Sequence, residues 1–216
     1  MAGLRGIYHR EPNMHISEGV LSAPVLICGA AVAAAGTGIG LKKMDYDRLP
    51  QVAILSASFF VGSLVHVPIG PTSVHLVLNG LLGIFLGWVS FPAILVGLLL
   101  QALLFQFGGL TAIGVNAVTM AGPAILCYAL FKTGARSDVR SMSIVFSFLC
   151  GFCGILFGSL ILALALIFTG EAFFAVAKLV VAAHLPVMVI EGLITAFCVQ
   201  FLKRVKPEML EVVYAR

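Results

Sequence analysis

Long apolar runs, separated by short polar or Gly/Pro-rich stretches, dominate the chain. A transmembrane helix needs about 20 mostly apolar residues, and a shorter run can be completed by flanking residues or by packing inside a bundle. The pattern predicts seven helices, at 21–41, 51–65, 74–90, 92–107, 116–132, 142–169 and 173–202. The second and the fourth are short for a full span. The third and fourth runs are separated only by Ser90, Phe91 and Pro92, which indicates a tight helical hairpin.

Small residues recur within two of these runs. The third and sixth predicted helices share one glycine spacing, which includes a G-x-x-x-G: Gly80, Gly83 and Gly87, and Gly151, Gly154 and Gly158. Such spacing lets two helix backbones approach closely in lipid. The sequence therefore predicts a compact bundle.

The composition supports a membrane protein. Of the 216 residues 61% are hydrophobic and 10% are charged, and the mean hydropathy is +1.11. Soluble domains are about half apolar and a quarter charged, and disordered chains are poorer still in apolar residues. We therefore expect an all-α, polytopic helix bundle in the lipid bilayer of the cell membrane, with seven transmembrane helices and no nucleic-acid partner.

Basic residues predict the orientation of this bundle. Those near the helix ends follow the first, fifth and seventh predicted helices: Lys42, Lys43, Arg48, Lys132, Arg136, Arg140, Lys203, Arg204, Lys206 and Arg216. Because cytoplasmic loops carry the excess of Lys and Arg, we expect the N-terminus outside and the C-terminus in the cytoplasm. The chain then divides into an N-terminal extension (1–13), a transmembrane domain (14–203) and a cytoplasmic tail (204–216).

The extension, M-A-G-L-R-G-I-Y-H-R-E-P-N, lacks the apolar core of a signal peptide. Two interpretations stay open. The functional chain begins at Met14, through a later start or through processing, so that the mature chain lacks residues 1–13; or these residues form an ordinary flexible tail.

The dipeptide Met14-His15 matters if Met14 carries a free amine. The amine, the amide nitrogen of His15 and its imidazole would then form two fused chelate rings, which occupy three corners of a plane. A further imidazole would complete a square, a geometry that favours Ni(II) or Cu(II) over the tetrahedral preference of Zn(II). With residues 1–13 attached, the amine is absent and the chelate cannot form.

Other polar side chains that could carry chemistry are few, and ionisable groups at membrane depth are candidates for function because they are costly to place there. In chain order the candidates are His66, Ser73, His75, Asn79, Asn116, His184 and Glu191.

His66 and His75 bracket the loop H-V-P-I-G-P-T-S-V-H between the second and third predicted helices, which the topology places on the outer side. Imidazole suits nickel, cobalt, copper and zinc. A ligating His usually donates its other N–H to an acceptor, and Ser73 and Asn116 are candidates for that partner. We expect Asn79 and Asn116 to serve packing or such support rather than to bind metal directly.

His184 and Glu191 are seven residues apart and therefore lie on one face of a helix. His184 precedes Pro186, so its ring could bond a carbonyl that the proline frees. For Glu191 three interpretations stay open: an ion pair with Lys178 or His184, hydrogen bonds within the bundle, or contact with a metal.

Four segments together resemble the CbiM/NikM family, the substrate-capture subunits of energy-coupling-factor transporters for cobalt and nickel. They are M-H-I-S-E-G-V-L (14–21), H-V-P-I-G-P-T-S-V-H-L-V-L-N-G-L-L-G (66–83), G-G-L-T-A-I-G-V-N-A (108–117) and H-L-P-V-M-V-I-E-G-L (184–193). The likeness runs from Met14 to about Lys203, and the H-V-P-I-G-P form is closer to nickel-type members.

The resemblance implies a seven-helix capture subunit for Ni(II) or Co(II), which are its transported substrates. Carried over, the ligands are the amine of Met14, the amide and imidazole of His15, and the imidazole of His75; His66 is an access group, a supporting group or a further ligand. The implied partners are a membrane coupling (T) subunit and cytoplasmic ATPases, with a small accessory membrane subunit as a further candidate. The family presents its Met-His at a free start, so residues 1–13 depart from its pattern.

Two other functions compete with metal capture. A proton-coupled secondary transporter would use Glu191 and His184 as its relay. An intramembrane hydrolase would need an H-E-x-x-H or an activated nucleophile, but the chain has no H-E-x-x-H and no Asp in a predicted helix. The chain also lacks a G-x-x-x-x-G-K-[ST] phosphate loop. We therefore expect a transport subunit that is not an enzyme and depends on partners for ATP hydrolysis.

Overall fold

The structure is a computed structural model, which describes residues 19–69 and 72–210. Its α-helices are α1 (Ala23–Lys42), α2 (Leu49–Gly62), α3 (Asn79–Leu86), α4 (Ser90–Phe105), α5 (Ile113–Ala135), α6 (Arg140–Thr169) and α7 (Phe174–Val205). An antiparallel hairpin of β1 (His66–Ile69) and β2 (Thr72–His75) joins α2 to α3. Short 3₁₀ turns cover Tyr46–Arg48, Gly87–Val89, Glu171–Phe173 and Pro207–Leu210.

Within the described ranges, five helical segments are long and apolar enough to cross a membrane. They are α1, the segment Asn79–Phe105 that contains α3 and α4, α5, α6, and Glu171–Val205 around α7. The helical membrane architecture predicted from the sequence is therefore confirmed. The number of spans and the orientation of the termini stay predictions, because α2 has 14 residues and α3 has eight.

The third predicted helix, 74–90, is wrong at both ends. Residues 72–75 form strand β2, and α3 begins only at Asn79 and ends at Leu86. The missed signal is local: Val67, Ile69, Thr72 and Val74 are β-branched and flank Gly70-Pro71 in the sequence. β-branched residues on either side of a Gly/Pro pair favour a hairpin.

The chain bends sharply between α3 and α4, as the sequence predicts, but earlier than expected. The Ser90 hydroxyl donates to the Leu82 carbonyl over 3.2 Å, whereas eight residues of straight helix would separate them by about 12 Å. The break lies at Gly87–Val89, where Gly87 has φ 53° and ψ −121°. Pro92 instead lies in the first turn of α4, where its missing N–H leaves no helical hydrogen bond unmade.

All eight residues of α3 are buried, and the glycines that were predicted to allow close packing lie where its backbone meets other helices. A Cβ on Gly80 would lie 2.5 Å from the carbonyl oxygen of Cys150 in α6, and one on Gly83 would collide with the Ala124 carbonyl in α5. A Cβ on Gly151 would in turn collide with the Glu191 carbonyl in α7. Close backbone contacts therefore connect α3 with α5 and α6, and α6 with α7.

We expect Gly80→Ala to lower the free energy of unfolding by about 1–3 kcal/mol, because the added methyl group must displace the backbone of α6. Thermal unfolding of the detergent-solubilised protein measures this. Gly38→Ala is the matched control, since it lies in a helix with nothing within 4 Å of the added Cβ; it should be neutral or stabilising by up to about 1 kcal/mol. Equal effects of the two substitutions would contradict the packing described.

Candidate metal site

The predicted site residues differ in how far the structure describes them. Met14 and His15 lie outside the described residues. The backbones of His66 and Ser73 are described, but their side chains are not. His75, together with Asn79, Asn116, His184 and Glu191, is described in full.

The β-hairpin brings the two predicted histidines of the loop together. The register pairs His66 with His75, Val67 with Val74, Pro68 with Ser73 and Ile69 with Thr72. His66 and His75 therefore form the last pair at the base of the hairpin, where it joins α2 and α3. The sequence indicated two histidines in one loop, and the register makes them direct neighbours across the strands.

The imidazole of His75 is buried, with 6% of the residue exposed. Its Nδ1 lies 3.0 Å from the carbonyl oxygen of Leu76. Because a carbonyl can only accept, we assign the proton to Nδ1, and Nε2 then carries the lone pair of the neutral ring. A backbone carbonyl commonly orients a metal-binding histidine in this way. The sequence suggested Ser73 and Asn116 for such a role, but it could not indicate a main-chain acceptor.

The two residues before α3 direct their amides at a side chain of α7. Leu78 has a left-handed backbone, with φ 54° and ψ 17°. The Glu191 carboxylate accepts from the Val77 N–H over 2.5 Å, and from the Leu78 N–H over 2.9 Å at Oε1 and 3.1 Å at Oε2. Both carboxylate oxygens are thus engaged by the turn that follows His75.

These bonds satisfy the two amide N–H groups that directly precede α3. Leu78 is the N-cap residue and provides no side-chain cap of its own, while a buried N–H without an acceptor costs about 1–3 kcal/mol. A carboxylate at a helix N-terminus also interacts favourably with the helix dipole. Of the three interpretations of Glu191, the structure shows hydrogen bonding within the bundle; Lys178 is exposed and lies over the Phe174 ring instead.

The geometry of α7 places this turn deep in the bundle. Glu191 is fully buried, about 26 Å along the helix axis from Phe174 and about 21 Å from Val205. His75 is two residues from Val77, so their Cα atoms are at most about 7 Å apart. Non-helical backbone at membrane depth is tolerated where protein buries it. The base of the hairpin therefore lies near the middle of α7, deeper than an outer loop.

The two candidate asparagines are buried in helices. The Asn79 amide donates to the Gly154 carbonyl of α6 over 3.0 Å and accepts from the Gly80 N–H over 2.8 Å. This is the helix-packing role expected from the sequence. Asn116 lies in the first turns of α5, where its main-chain carbonyl accepts a hydrogen bond from the Thr119 hydroxyl over 2.9 Å.

His184 is half-buried, and its Nδ1 lies 2.7 Å from the Val180 carbonyl. The carbonyl that Pro186 frees is that of Ala182, four residues before the proline. The expectation that His184 bonds the freed carbonyl is therefore wrong, since its partner is an ordinary carbonyl one helical turn earlier.

Arg136 was predicted only as a marker of the cytoplasmic side. Its Nη2 donates to the Ile84 carbonyl in the last turn of α3 over 2.8 Å, and its guanidinium lies 5.9 Å from the Tyr128 ring centroid. A cation at the C-terminus of a helix complements the helix dipole. Nothing in the spacing of the sequence indicates this contact, which joins residues 52 positions apart.

Among the side chains that the structure describes, which exclude that of His66, no three from His, Cys, Asp or Glu are grouped closely enough to hold a metal ion. What the described part contributes is one buried imidazole, a neighbouring histidine across the strands, and the turn that Glu191 holds.

Known proteins resemble this chain over nearly its whole length. A family model described as the cobalt uptake substrate-specific transmembrane region, CbiM, matches residues 15–209. A metal transport protein of Haemophilus influenzae is 38% identical over 201 residues, which cover 91% of this chain and 97% of that protein. The fused nickel transport protein NikMN of Rhodobacter capsulatus is 33% identical over an alignment of 222 positions, gaps included, which covers 91% of this chain and 64% of that longer protein.

A solved structure agrees in fold. The crystal structure of a truncated transition metal transporter matches with a TM-score of 0.69 at 27% identity, over 88% of this chain and 99% of that one. The family match, the relatives and the helical membrane fold agree, and the chain therefore belongs to the CbiM family of cobalt and nickel transport proteins, as a multi-pass component in the cell membrane.

Proposed function

We propose that the chain is the substrate-binding membrane subunit of an ATP-driven, energy-coupling-factor type transporter that takes up Ni(II) or Co(II). The observation that carries this proposal is the buried His75, with Nδ1 bonded to a backbone carbonyl, at the base of a hairpin inside a bundle of the CbiM family. A neutral imidazole held in this way suits a transition metal better than a hard cation.

The proposed ligands are the Met14 amine, the His15 amide nitrogen and imidazole, and Nε2 of His75. Four nitrogens in a plane suit Ni(II), and the two chelate rings of the Met-His dipeptide enforce that plane. The family match begins at His15, directly after Met14, which supports a functional start at Met14. His66, opposite His75 in the register, is proposed as an access or supporting group.

The proposed topology has seven spans, with the N-terminus outside and the C-terminus in the cytoplasm. The Met-His segment would then enter the bundle from outside and meet His75 at depth. A membrane coupling subunit and cytoplasmic ATPases would supply the energy for inward release. The fused relative, which is longer than this chain, supports a function that depends on additional transporter parts.

We expect His75→Ala and His15→Ala each to weaken Ni(II) binding by at least about 100-fold, because each removes a direct ligand. Loss of a residue that only supports a ligand already lowers metal affinity by about 10–100-fold. Equilibrium dialysis of the purified membrane protein measures the dissociation constant. His184→Ala, which removes a ring bonded to the Val180 carbonyl, is the control and should stay within about threefold. Tight binding by either the His15 or the His75 variant would overturn the ligand assignment.

The start of the chain provides a second test. A chain that begins at Met14 should bind Ni(II) at least about 10-fold more tightly than the same chain with two glycines placed before Met14, since the chelate needs the amine of Met14 itself. Two glycines are used because a single one would place His15 third, where the amine, two amide nitrogens and the imidazole form a planar nickel chelate of their own. N-terminal mass analysis of the mature membrane protein should likewise find Met14. Recovery of protein that always begins at Met1 and still binds nickel tightly would refute the chelate.

Reconstitution separates ATP-driven uptake from proton-coupled uptake. In proteoliposomes that contain this chain alone, an imposed pH gradient should produce no more Ni(II) uptake than protein-free vesicles show. Addition of the coupling subunit, the ATPases and ATP should produce uptake. Uptake by the chain alone that requires the proton gradient, and that Glu191→Gln abolishes, would favour the secondary transporter instead.

A further inference from the structure

We propose that Glu191 is a positioning residue of the metal site, which fixes the imidazole of His75 by holding the turn that follows it. The inference rests on the proposed function, since it assigns His75 as a ligand. It adds a residue that lies 116 positions along the chain from His75 and acts on the metal through backbone amides.

The connection from Glu191 to His75 is short. The carboxylate holds the N–H groups of Val77 and Leu78 at 2.5–3.1 Å, and Val77 is two residues from His75. The residue between them is Leu76, whose carbonyl accepts the hydrogen bond from Nδ1 of His75. The orientation of the ring is therefore set by the same few peptide groups that Glu191 holds.

The turn leaves little freedom between these contacts. Leu78 has a left-handed backbone, which costs a residue with a Cβ of order 1–3 kcal/mol and persists where the surroundings enforce it. Its side chain packs against α2, where a Cβ on Gly62 would lie 2.8 Å from Leu78 Cδ1. Without the Glu191 acceptors, the turn could relax to a commoner backbone and rotate His75.

Glu191 itself is held by the bundle. Its carbonyl packs directly against Gly151 of α6, where any Cβ would collide. It is fully buried, and its carboxylate reaches the turn from the middle of α7. The position of His75 is thus fixed relative to α6 and α7, which are the longest helices of the described part.

A positioning role fits better than direct ligation. Both oxygens of the carboxylate already accept hydrogen bonds from N–H groups, so coordination would have to break contacts that hold the turn before α3.

The test compares Glu191→Leu, which removes both acceptors at similar volume, with Glu191→Gln, which retains one. The control is Thr195→Val, one helical turn along α7, because the buried Thr195 hydroxyl has no hydrogen-bond partner among the described residues. For each purified variant, the Ni(II) dissociation constant and the unfolding temperature of the metal-free protein are measured. We expect Glu191→Leu to weaken binding about 10–100-fold, Glu191→Gln to fall between it and the parent, and Thr195→Val to change binding by less than about twofold.

The outcomes are distinct. If the Glu191 variants unfold at lower temperature but bind Ni(II) as tightly as the parent, Glu191 is structural only and the inference is overturned. If Glu191→Gln abolishes binding as completely as His75→Ala, Glu191 is a ligand and the inference is again overturned. If His75→Ala binds like the parent, the proposed site fails whatever Glu191 does. Should Glu191→Leu not fold, the graded loss in Glu191→Gln decides.

Discussion

The structure depends on α3, an eight-residue helix that is too short to span a membrane and is held at its two ends by Glu191 of α7 and by Arg136, the residue that directly follows α5. α3 is about 12 Å long. At the start of α3, Glu191 of α7 accepts hydrogen bonds from the amides that precede the first turn. At its end, Arg136, which follows α5, donates a hydrogen bond to a carbonyl of the last turn of α3. Backbone groups at membrane depth must find partners within the protein. Glu191 and Arg136 are such partners, and they place a carboxylate at the N-terminus of α3 and a guanidinium at its C-terminus, as the helix dipole favours.

The short helix in turn determines where the metal chemistry can lie. α3 begins near the middle of α7, and the chain that leads into it is a β-hairpin rather than another helical turn. The hairpin brings His75 to a buried position at its base. Glycines at the crossings of α3 with α5 and α6 allow the backbones to approach closely enough to hold it there. Packing, capping and the candidate ligand are therefore parts of one arrangement.

Much of this architecture could be predicted from the sequence. Apolar runs locate most of the helices to within about three residues, because helices in lipid must be apolar over most of their length. The hairpin was missed, since its β-branched residues lie in a loop short enough to pass for a connection between helices. The contacts of Glu191 with Val77 and of Arg136 with Ile84 were also beyond prediction. Each joins a side chain to a backbone group far along the chain, and such a bond leaves no pattern in residue types.

The candidate site divides in the same way. The histidines and the Met-His dipeptide were identifiable by residue type and by resemblance to a family, whereas the depth of His75 and its Leu76 partner required coordinates. The anomalous scattering of nickel, measured in crystals of the metal-loaded protein, would locate the bound ion. We expect a peak at bonding distance from Nε2 of His75, inside the bundle and level with Glu191. A peak at the outer surface, or beside the buried thiols of Cys127 in α5 and Cys150 in α6, would contradict this placement.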